Sequence, residues 1–301
     1  MATTVNNTTT FAGKFAGEYI KAAFYANETL QHITVKENIE YKQVVKRIAD
    51  NVTFANATCA FTPTGTVNLT ERILELKKLQ FQQDVCLNEF NDSWEAGFVQ
   101  NGTLGTALTE GLINTMLAGV AQNNENLIWT GNGATAGEYN GLLKLIGDDA
   151  DGDINFVSTP VAIDASNVFA KIQALIAAAP IGLKKATERP LIYMSNDVWE
   201  AYMYANAAAG NGWYTYAGPE VQRSFMGLYN IAVCPGMPAS TMIMAQPSNL
   251  WFGTNLVSDW NSLQVVDMRQ WADETVRFSI KFFASTQYGV GSDIAAYSTW
   301  F

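Results

Sequence analysis

Residues 124–143 have the sequence NENLIWTGNGATAGEYNGLL, in which a short apolar run leads into a glycine-rich loop. Within it, residues 131–136 fit G-x-G-x-x-A, a form of the dinucleotide-binding fingerprint. That fingerprint holds a pyrophosphate when a strand delivers the glycines to the N-terminus of a helix, whose free N–H groups point at the phosphates. Here a helical pattern comes before the loop, and Gly137 and Gly141 interrupt any helix after it. The stretch therefore predicts a corner that turns the chain, and we expect no cofactor.

The segment before this loop has the period of a long helix. Apolar residues recur every three or four positions from Leu104 to Val120, which predicts a long helix over this stretch. Gly111 and Gly119 lie inside this pattern, and each weakens a helix by about 1 kcal/mol relative to Ala. We expect tertiary packing to hold the helix, with close backbone approach at its glycines.

Further upstream the pattern favours strands. Residues 52–69, VTFANATCAFTPTGTVNL, carry β-formers on both sides of the Thr-Pro-Thr-Gly sequence at 62–65. A Pro and a Gly between two such runs predict a long hairpin. The run after it, through residue 90, is mixed in period.

The second half of the chain alternates helical and strand patterns. An amphipathic helix is predicted over 165–179, followed by a short buried strand, LIYMS at 191–195, and a helix with Asn196 as its N-cap. This order predicts a compact α/β subdomain. Near the C-terminus a strand is predicted from the alternation of its apolar residues, which are Val276, Phe278, Ile280 and Phe282.

Composition limits the function classes. The 301 residues are 48% hydrophobic and only 15% charged, with a formal net charge of −10. Such a charge repels phosphate backbones and argues against a broad nucleic-acid groove. The three cysteines are far apart and lack C-x-x-C spacing, so we expect reduced thiols and no metal site. No secretory signal or membrane-spanning run is predicted.

Few residues indicate chemistry. The acidic turn GDDADGDIN at 147–155 imitates a calcium loop, but two of the strongest ligand positions are Gly and Ser. His32 is the only histidine, and we expect it to be structural. Carboxylates that meet in space stay open as a possibility. An aromatic cluster could stack on a sugar or base, although a subunit contact is favoured; its members are Trp213, Tyr214 and Tyr216.

The order of these segments resembles the HK97-type major capsid proteins of tailed bacteriophages. Residues 69–93, LTERILELKKLQFQQDVCLNEFNDS, are similar to the segment that leads that family's hairpin back to its long spine helix. The resemblance places the spine helix at about residues 103–123, and the stretch 124–143 resembles the segment that leads away from it. Three later stretches resemble the axial domain's strands and helix and the terminal return to the peripheral domain; they are ERPLIYMSNDVWEAY, GLYNIAVCPGMPASTMIMAQPSNLWFG and VRFSIKFFASTQYGVGSDIAAYSTW.

The resemblance implies a mixed α+β fold with five parts. They are an N-terminal arm at 1–40, an extended E-loop hairpin at 41–82, a peripheral domain with the spine helix at 83–145, an axial domain at 146–262 and a return to the peripheral domain at 263–301. Nothing in the sequence resembles the long scaffolding segment that precedes some members. A separate scaffolding protein, or none, is then expected.

The implied function is self-assembly as pentamers and hexamers into an icosahedral phage head around double-stranded DNA, in a virion assembled in the host cytoplasm. Portal and decoration proteins are further expected partners, and DNA is expected to make local contacts only. We expect intersubunit contacts near the hairpin base, at Arg72, Glu75, Lys77 and Lys78, and at the aromatic cluster. No catalytic residue is expected. The alternatives are an encapsulin-like nanocompartment shell and a soluble glycan-binding or hydrolase domain.

Overall fold

The fold is described from a computed structural model, which covers residues 8–12, 27–51, 66–86, 106–149, 152–209, 223–255, 262–268, 273 and 275–300. The predicted turn at 62–65 lies outside these ranges. The helices are α1 (Thr106–Thr130), α2 (Leu142–Gly147), α3 (Val168–Ala178), α4 (Ile181–Lys185) and α5 (Asn196–Ala208). The strands are β1 (Thr8–Ala12), β2 (Thr34–Lys36), β3 (Lys42–Asn51), β4 (Thr66–Glu75), β5 (Lys77–Cys86), β6 (Asn155–Phe156), β7 (Leu191–Met194), β8 (Ser224–Phe225), β9 (Tyr229–Val233), β10 (Met242–Ala245), β11 (Leu250–Thr254), β12 (Ser262–Asp267), β13 (Thr275–Tyr288) and β14 (Ala295–Tyr297).

The first sheet is organised around β13, which has 14 residues. Both β5 and β12 pair with it in antiparallel register, and its far end pairs with β11, which carries β2 in parallel. The strand β1 extends the sheet at the other edge by pairing with β12. The predicted alternation is confirmed, because Val276, Phe278, Ile280 and Phe282 are all buried while Arg277 is exposed. The segment before residue 90, whose apolar residues follow no single period, contains β5, a strand with one face on the core.

The second sheet has the strand order β6-β14-β10-β7-β9-β8. Its core includes the apolar faces of α3 and α5, with Ile172, Leu175 and Val198 fully buried against the strands. The predicted α/β subdomain is confirmed. One local prediction is wrong: the N-cap of α5 is Ser195, and Asn196 is already helical. The Asp197 carboxylate accepts the Ser240 backbone N–H at 2.8 Å, so this turn is fixed from outside the helix.

The helix α1 is longer than its predicted range and ends at Thr130. The polar run at 122–126 interrupts the apolar stripe, but Ile128 and Trp129 beyond it are fully buried and extend the packing. The predicted close approach is also wrong at Gly119, because a Cβ built there would meet no atom of the described residues within 4 Å. Among the residues that the structure describes, no helix is long and apolar enough to span a membrane.

The strands β3 and β4 form a separate antiparallel hairpin, in which Lys42 faces Glu75 and Asn51 faces Thr66. Each strand has 10 residues, and within the described ranges neither pairs with a third strand. Residues 52–65, from which the first arm and the turn of the long hairpin were predicted, lie outside the described ranges, and the strands that pair are those on either side of them. A two-stranded hairpin is marginally stable alone in water, so its base needs anchoring.

Candidate assembly surfaces

The hairpin is anchored by a small apolar cluster at its base, which we call the hairpin root. Its members are Ile39, Leu74, Leu76, Trp251 and Phe283, all of them buried. A Cβ at Gly253 would lie 2.8 Å from Leu74 Cδ2, so β11 passes close to the root at this glycine. The Leu76 backbone N–H donates to the Tyr41 carbonyl at 3.0 Å, which closes the base of the hairpin.

A polar contact joins the same hairpin to the rest of the chain. The Arg72 guanidinium lies 3.4 Å from Asp149 Oδ1 and 4.4 Å from the centre of the Tyr288 ring. The Tyr288 hydroxyl donates to the same carboxylate oxygen at 2.9 Å. Burial opposes ionisation of Asp149, but bonds from Tyr288, the Ile154 and Asp153 backbone N–H groups and Arg72 hold its pKa below the ordinary range. Asp149 of the acidic turn thus binds Arg72 of the hairpin.

The opposite face of the hairpin is exposed and partly apolar. Val44 and Ile73 face each other across the ladder, and each is 44% exposed. Tyr41 beside them is 58% exposed, and its hydroxyl donates to Glu75 at 2.9 Å. Large apolar side chains that neighbour each other in a strand pair bury area when a partner covers them. This face, defined by Tyr41, Val44 and Ile73, is the hairpin's outer face.

The four predicted contact residues at the hairpin base all have intrachain partners. Glu75 accepts from Tyr41, and Arg72 binds Asp149. Lys77 donates from Nζ to the Gly133 carbonyl, and Lys78 Nζ lies 5.8 Å from the centre of the Phe283 ring. The structure therefore brings these side chains to one region. The aromatic candidates Trp213, Tyr214 and Tyr216 lie outside the described residues.

The glycine-rich loop turns the chain, as predicted. It follows the C-terminus of α1, where a helix presents carbonyls and not N–H groups. Its own donors are occupied: the N–H of Asn132 bonds Glu138, and that of Gly133 bonds Asn140, each at 2.8 Å. A phosphate would find these groups already used, which argues against a dinucleotide site. A Cβ at Gly131 would lie 2.4 Å from the Tyr139 carbonyl oxygen, which explains the glycine.

A buried polar contact that the sequence did not reveal fixes residues 27–33 to α1. Thr29 donates from Oγ1 to the Glu125 carboxylate and accepts from Trp129 Nε1 at 2.9 Å. Burial raises the pKa of Glu125, although bonds to Thr29 act in the opposite direction. The partners lie 96 and 100 residues apart, so no local pattern could have joined them.

His32 is partly exposed in the same segment, as expected of a structural histidine. Its carbonyl accepts from the Tyr193 hydroxyl at 2.7 Å, which ties the segment to β7. Burial and the nearby Arg223 lower the pKa of the imidazole, while Glu28 acts in the opposite direction. The histidine therefore belongs to the packing between the N-terminal segment and the second sheet.

A polar groove of about 450 Å³ lies on the solvent side of the first sheet. Arg277, which lines the groove, pairs with both Asp84 at 3.4 Å and Asp273 at 3.3 Å. The acidic turn lies elsewhere, where Asp149 contacts Arg72 of the hairpin. Within the described residues no group of three or more His, Cys, Asp or Glu side chains could hold a metal ion.

Three solved structures with the same fold are those of capsid or particle shells. The capsid of an empty GTA particle matches with a TM-score of 0.60 and 16% identity, over 90% of this chain and 89% of that chain. The satellite phage P4 procapsid, solved with its size determination protein, matches with a TM-score of 0.58 and 11% identity, over 93% and 98%. A virus-like particle from Pyrococcus furiosus matches with a TM-score of 0.54 and 9% identity, over 95% and 99%.

No protein-family model matches the sequence, and no curated protein does. Identities this low establish a shared fold. The mixed α+β fold of capsid subunits is thereby confirmed, in agreement with the resemblance to HK97-type major capsid proteins.

Proposed function

We propose that this chain is a major capsid protein that assembles as pentamers and hexamers into an icosahedral phage head enclosing double-stranded DNA. The observation that carries the proposal is the hairpin of β3 and β4, which has a buried root and an exposed apolar outer face. A rigidly anchored, isolated hairpin can cover a neighbouring subunit, and such head-to-tail contacts propagate into closed shells. The capsid and procapsid matches support it.

In this proposal the parts of the chain take the roles that the family implies. The hairpin within 41–82 is the E-loop, α1 is the spine helix, and the second sheet lies in the axial domain of 146–262. Residues 1–40 are the arm, 83–145 the peripheral domain and 263–301 its return. These boundaries are expectations that a structure of an assembled particle would test directly.

The partners follow from the same proposal. The first is the chain itself, in pentamers and hexamers, and further partners are scaffolding, portal and decoration proteins. The protein would be located in the virion capsid and assembled in the host cytoplasm. The formal net charge of −10 allows packaged DNA only local contacts.

The predicted contact residues remain part of the proposal with different weights. Glu75 and Lys78 are exposed and can meet a neighbour. Arg72 holds a carboxylate whose side chain is only 2% exposed, so its main role is within the subunit. For Trp213, Tyr214 and Tyr216 the contact role rests on residue type, since aromatic side chains are enriched in interfaces.

The test removes apolar character from the outer face without disturbing the strands. In the double variant Val44→Thr and Ile73→Thr, β-branched residues keep the strand preference. Each buried CH₂ contributes about 0.8 kcal/mol, so the two substitutions together should weaken each contact between subunits roughly tenfold or more. We expect wild-type shells in negative-stain micrographs and only subunits or small oligomers from the double variant, at an unchanged melting temperature.

The matched control is Gln43→Thr, an exposed position on the other face of the same strand, which should assemble like the wild type. Stable wild-type monomers under every assembly condition would contradict the proposal. A particle that encloses an enzyme would favour the nanocompartment alternative. The match to the Pyrococcus furiosus virus-like particle does not itself favour that alternative over a phage head. A melting temperature raised by calcium or a sugar would favour the soluble binding domain.

A further inference from the structure

A buried carboxyl lies between residues 27–33 and the C-terminal half of α1. Glu125 is only 6% exposed, and the Thr29 hydroxyl of the covering segment donates to its Oε1. Its other oxygen, Oε2, is buried without a hydrogen-bond partner in the described part of the chain. Thr29 is itself fully buried and accepts from Trp129 Nε1 of the same helix at 2.9 Å. The segment therefore covers a carboxyl that is only partly satisfied.

No positive charge compensates this carboxyl. None of the ion pairs among the described residues includes Glu125, and Arg223 is bound instead to Glu28 at 3.2 Å. The other titratable groups that act on Glu125 or respond to it are the Glu28 carboxylate, the Tyr139 hydroxyl and the Cys234 thiol. A buried carboxylate with no opposite charge beside it is costly. The contact is therefore more favourable when the carboxyl is neutral.

The effect of pH follows from this burial. Burial raises the pKa of Glu125 and the charge of Glu28 adds to it, while the Thr29 hydroxyl and the Gly236 N–H act in the opposite direction. If residues 27–33 leave α1, water reaches the carboxyl and its pKa returns towards the ordinary value of about 4.3. The stability that the neutral form gives to docking is then fully present below that value and is lost as the pH rises through the higher docked value.

We propose that Glu125 is a pH-sensitive switch for residues 27–33: its neutral form holds them on α1, and its ionisation makes them open more often. The apolar side chains of Leu30 and Ile33 belong to the main core and favour docking in both forms. The proton therefore sets the frequency of opening. The inference concerns the folded subunit and does not depend on the proposed function.

A histidine in the same segment would give the opposite trend. Burial and the nearby Arg223 lower the pKa of His32, so the docked segment binds that proton less tightly than the open one. Docking controlled by His32 would strengthen as the pH rises. The direction of the pH dependence thus identifies the group that titrates.

The experiment follows amide hydrogen exchange of residues 27–33 by mass spectrometry in the full, unassembled chain from pH 5 to pH 8. Exchange is corrected for the intrinsic rate at each pH. The His32 N–H, which donates to the Thr29 carbonyl at 2.9 Å, reports opening of the segment. We expect its protection to fall at least about threefold over this range in the wild type. In Glu125→Gln, whose side chain is a neutral isostere, protection should stay constant or rise.

The matched control is Glu200→Gln, an exposed glutamate on α5, which should keep the wild-type fall in protection. If Glu125→Gln does not fold, Thr29→Val decides. This variant removes the hydroxyl that stabilises the carboxylate, so the fall in protection should continue to a higher pH than in the wild type.

Protection of residues 27–33 that is constant or rises with pH in the wild type would overturn the inference. The same fall in Glu125→Gln as in the wild type would also overturn it, as would a fall that ends at the wild-type pH in Thr29→Val. These results would leave the proposed function intact, and the absence of particles from the wild-type chain would leave the switch intact.

Discussion

At the scale of single residues, Asp149 shows how a weak motif acquires a structural role. It belongs to an acidic turn that imitates a calcium loop, yet its side chain is 2% exposed and is bound by Arg72 and Tyr288. A buried carboxylate is stable only with such partners. The turn therefore holds the hairpin in place through Asp149, whereas Asp148 and Asp153 are exposed.

Replacement of this carboxylate should destabilise the subunit in a pH-dependent way. Hydrogen bonds to charged groups contribute about 1.5–3 kcal/mol, so Asp149→Asn should lower the free energy of unfolding by about that much at pH 7. The pKa of Asp149 is lowered in the folded chain. Its contribution is therefore fully present above the unfolded pKa of about 3.9 and is lost as the pH falls through the lower folded value. Thermal unfolding of both proteins between pH 7 and pH 3 measures the difference.

The control for this prediction is the adjacent Asp148→Asn. The Asp148 side chain is 63% exposed and pairs with Lys144 four residues earlier on the surface. Exposed pairs contribute about 0–1 kcal/mol, so this variant should melt close to the wild type. An equal loss of unfolding free energy in both variants would contradict the prediction, because the contact between Asp149 and Arg72 would then contribute nothing of its own.

At the scale of elements, α1 tests the role of a glycine inside a helix. Gly119 is exposed, and in the described part of the chain a Cβ there would meet no atom within 4 Å. Glycine within a helix costs about 0.5–1 kcal/mol relative to alanine. Gly119→Ala should therefore raise the free energy of unfolding of the subunit by that amount, as measured by denaturant unfolding.

Gly131→Ala is the contrasting variant in the same segment. Its Cβ would lie 2.4 Å from the Tyr139 carbonyl oxygen, and backbone cannot yield as a flexible side chain can. We expect a loss of about 1–3 kcal/mol, in the range of overpacked sites. Destabilisation of the subunit by Gly119→Ala would contradict the prediction, because it would mean that this glycine packs closely in the folded chain.

The elements with a clear period were predictable, and those fixed by distant partners were not. The alternation from Val276 to Phe282 identified β13, because one face of a strand repeats every second residue. The end of α1 was missed, since the residues that extend it, Ile128 and Trp129, follow a polar run and are buried by tertiary contacts. The hairpin root was equally hidden. It joins Leu74 to Gly253, which lie far apart in the sequence.

At the scale of the whole molecule, the order of elements identified the fold better than any single motif. Residues 131–136 fit the G-x-G-x-x-A pattern, but they follow the C-terminus of a helix. A dinucleotide-binding loop instead leads into the N-terminus of a helix. The outer face was not predicted, since exposure in a folded subunit has no signature in one sequence. It is an apolar surface on a chain that is poor in charge. This combination decides how assembly should respond to salt.

Copies with a formal net charge of −10 repel one another, and their apolar contacts must overcome that repulsion. The Debye length falls from about 10 Å at 0.1 M salt to about 3 Å at 1 M, so added salt removes repulsion and leaves apolar contacts in place. We therefore expect the protein concentration needed for assembly to fall as NaCl rises from 0.1 to 1 M, measured by light scattering and sedimentation. The double variant Val44→Thr and Ile73→Thr should not be rescued by salt, because it lacks the apolar contact itself. Dissociation of wild-type particles at 1 M NaCl would show that ion pairs dominate the interfaces, with the groups at the hairpin base, such as Glu75 and Lys78, as the first to examine.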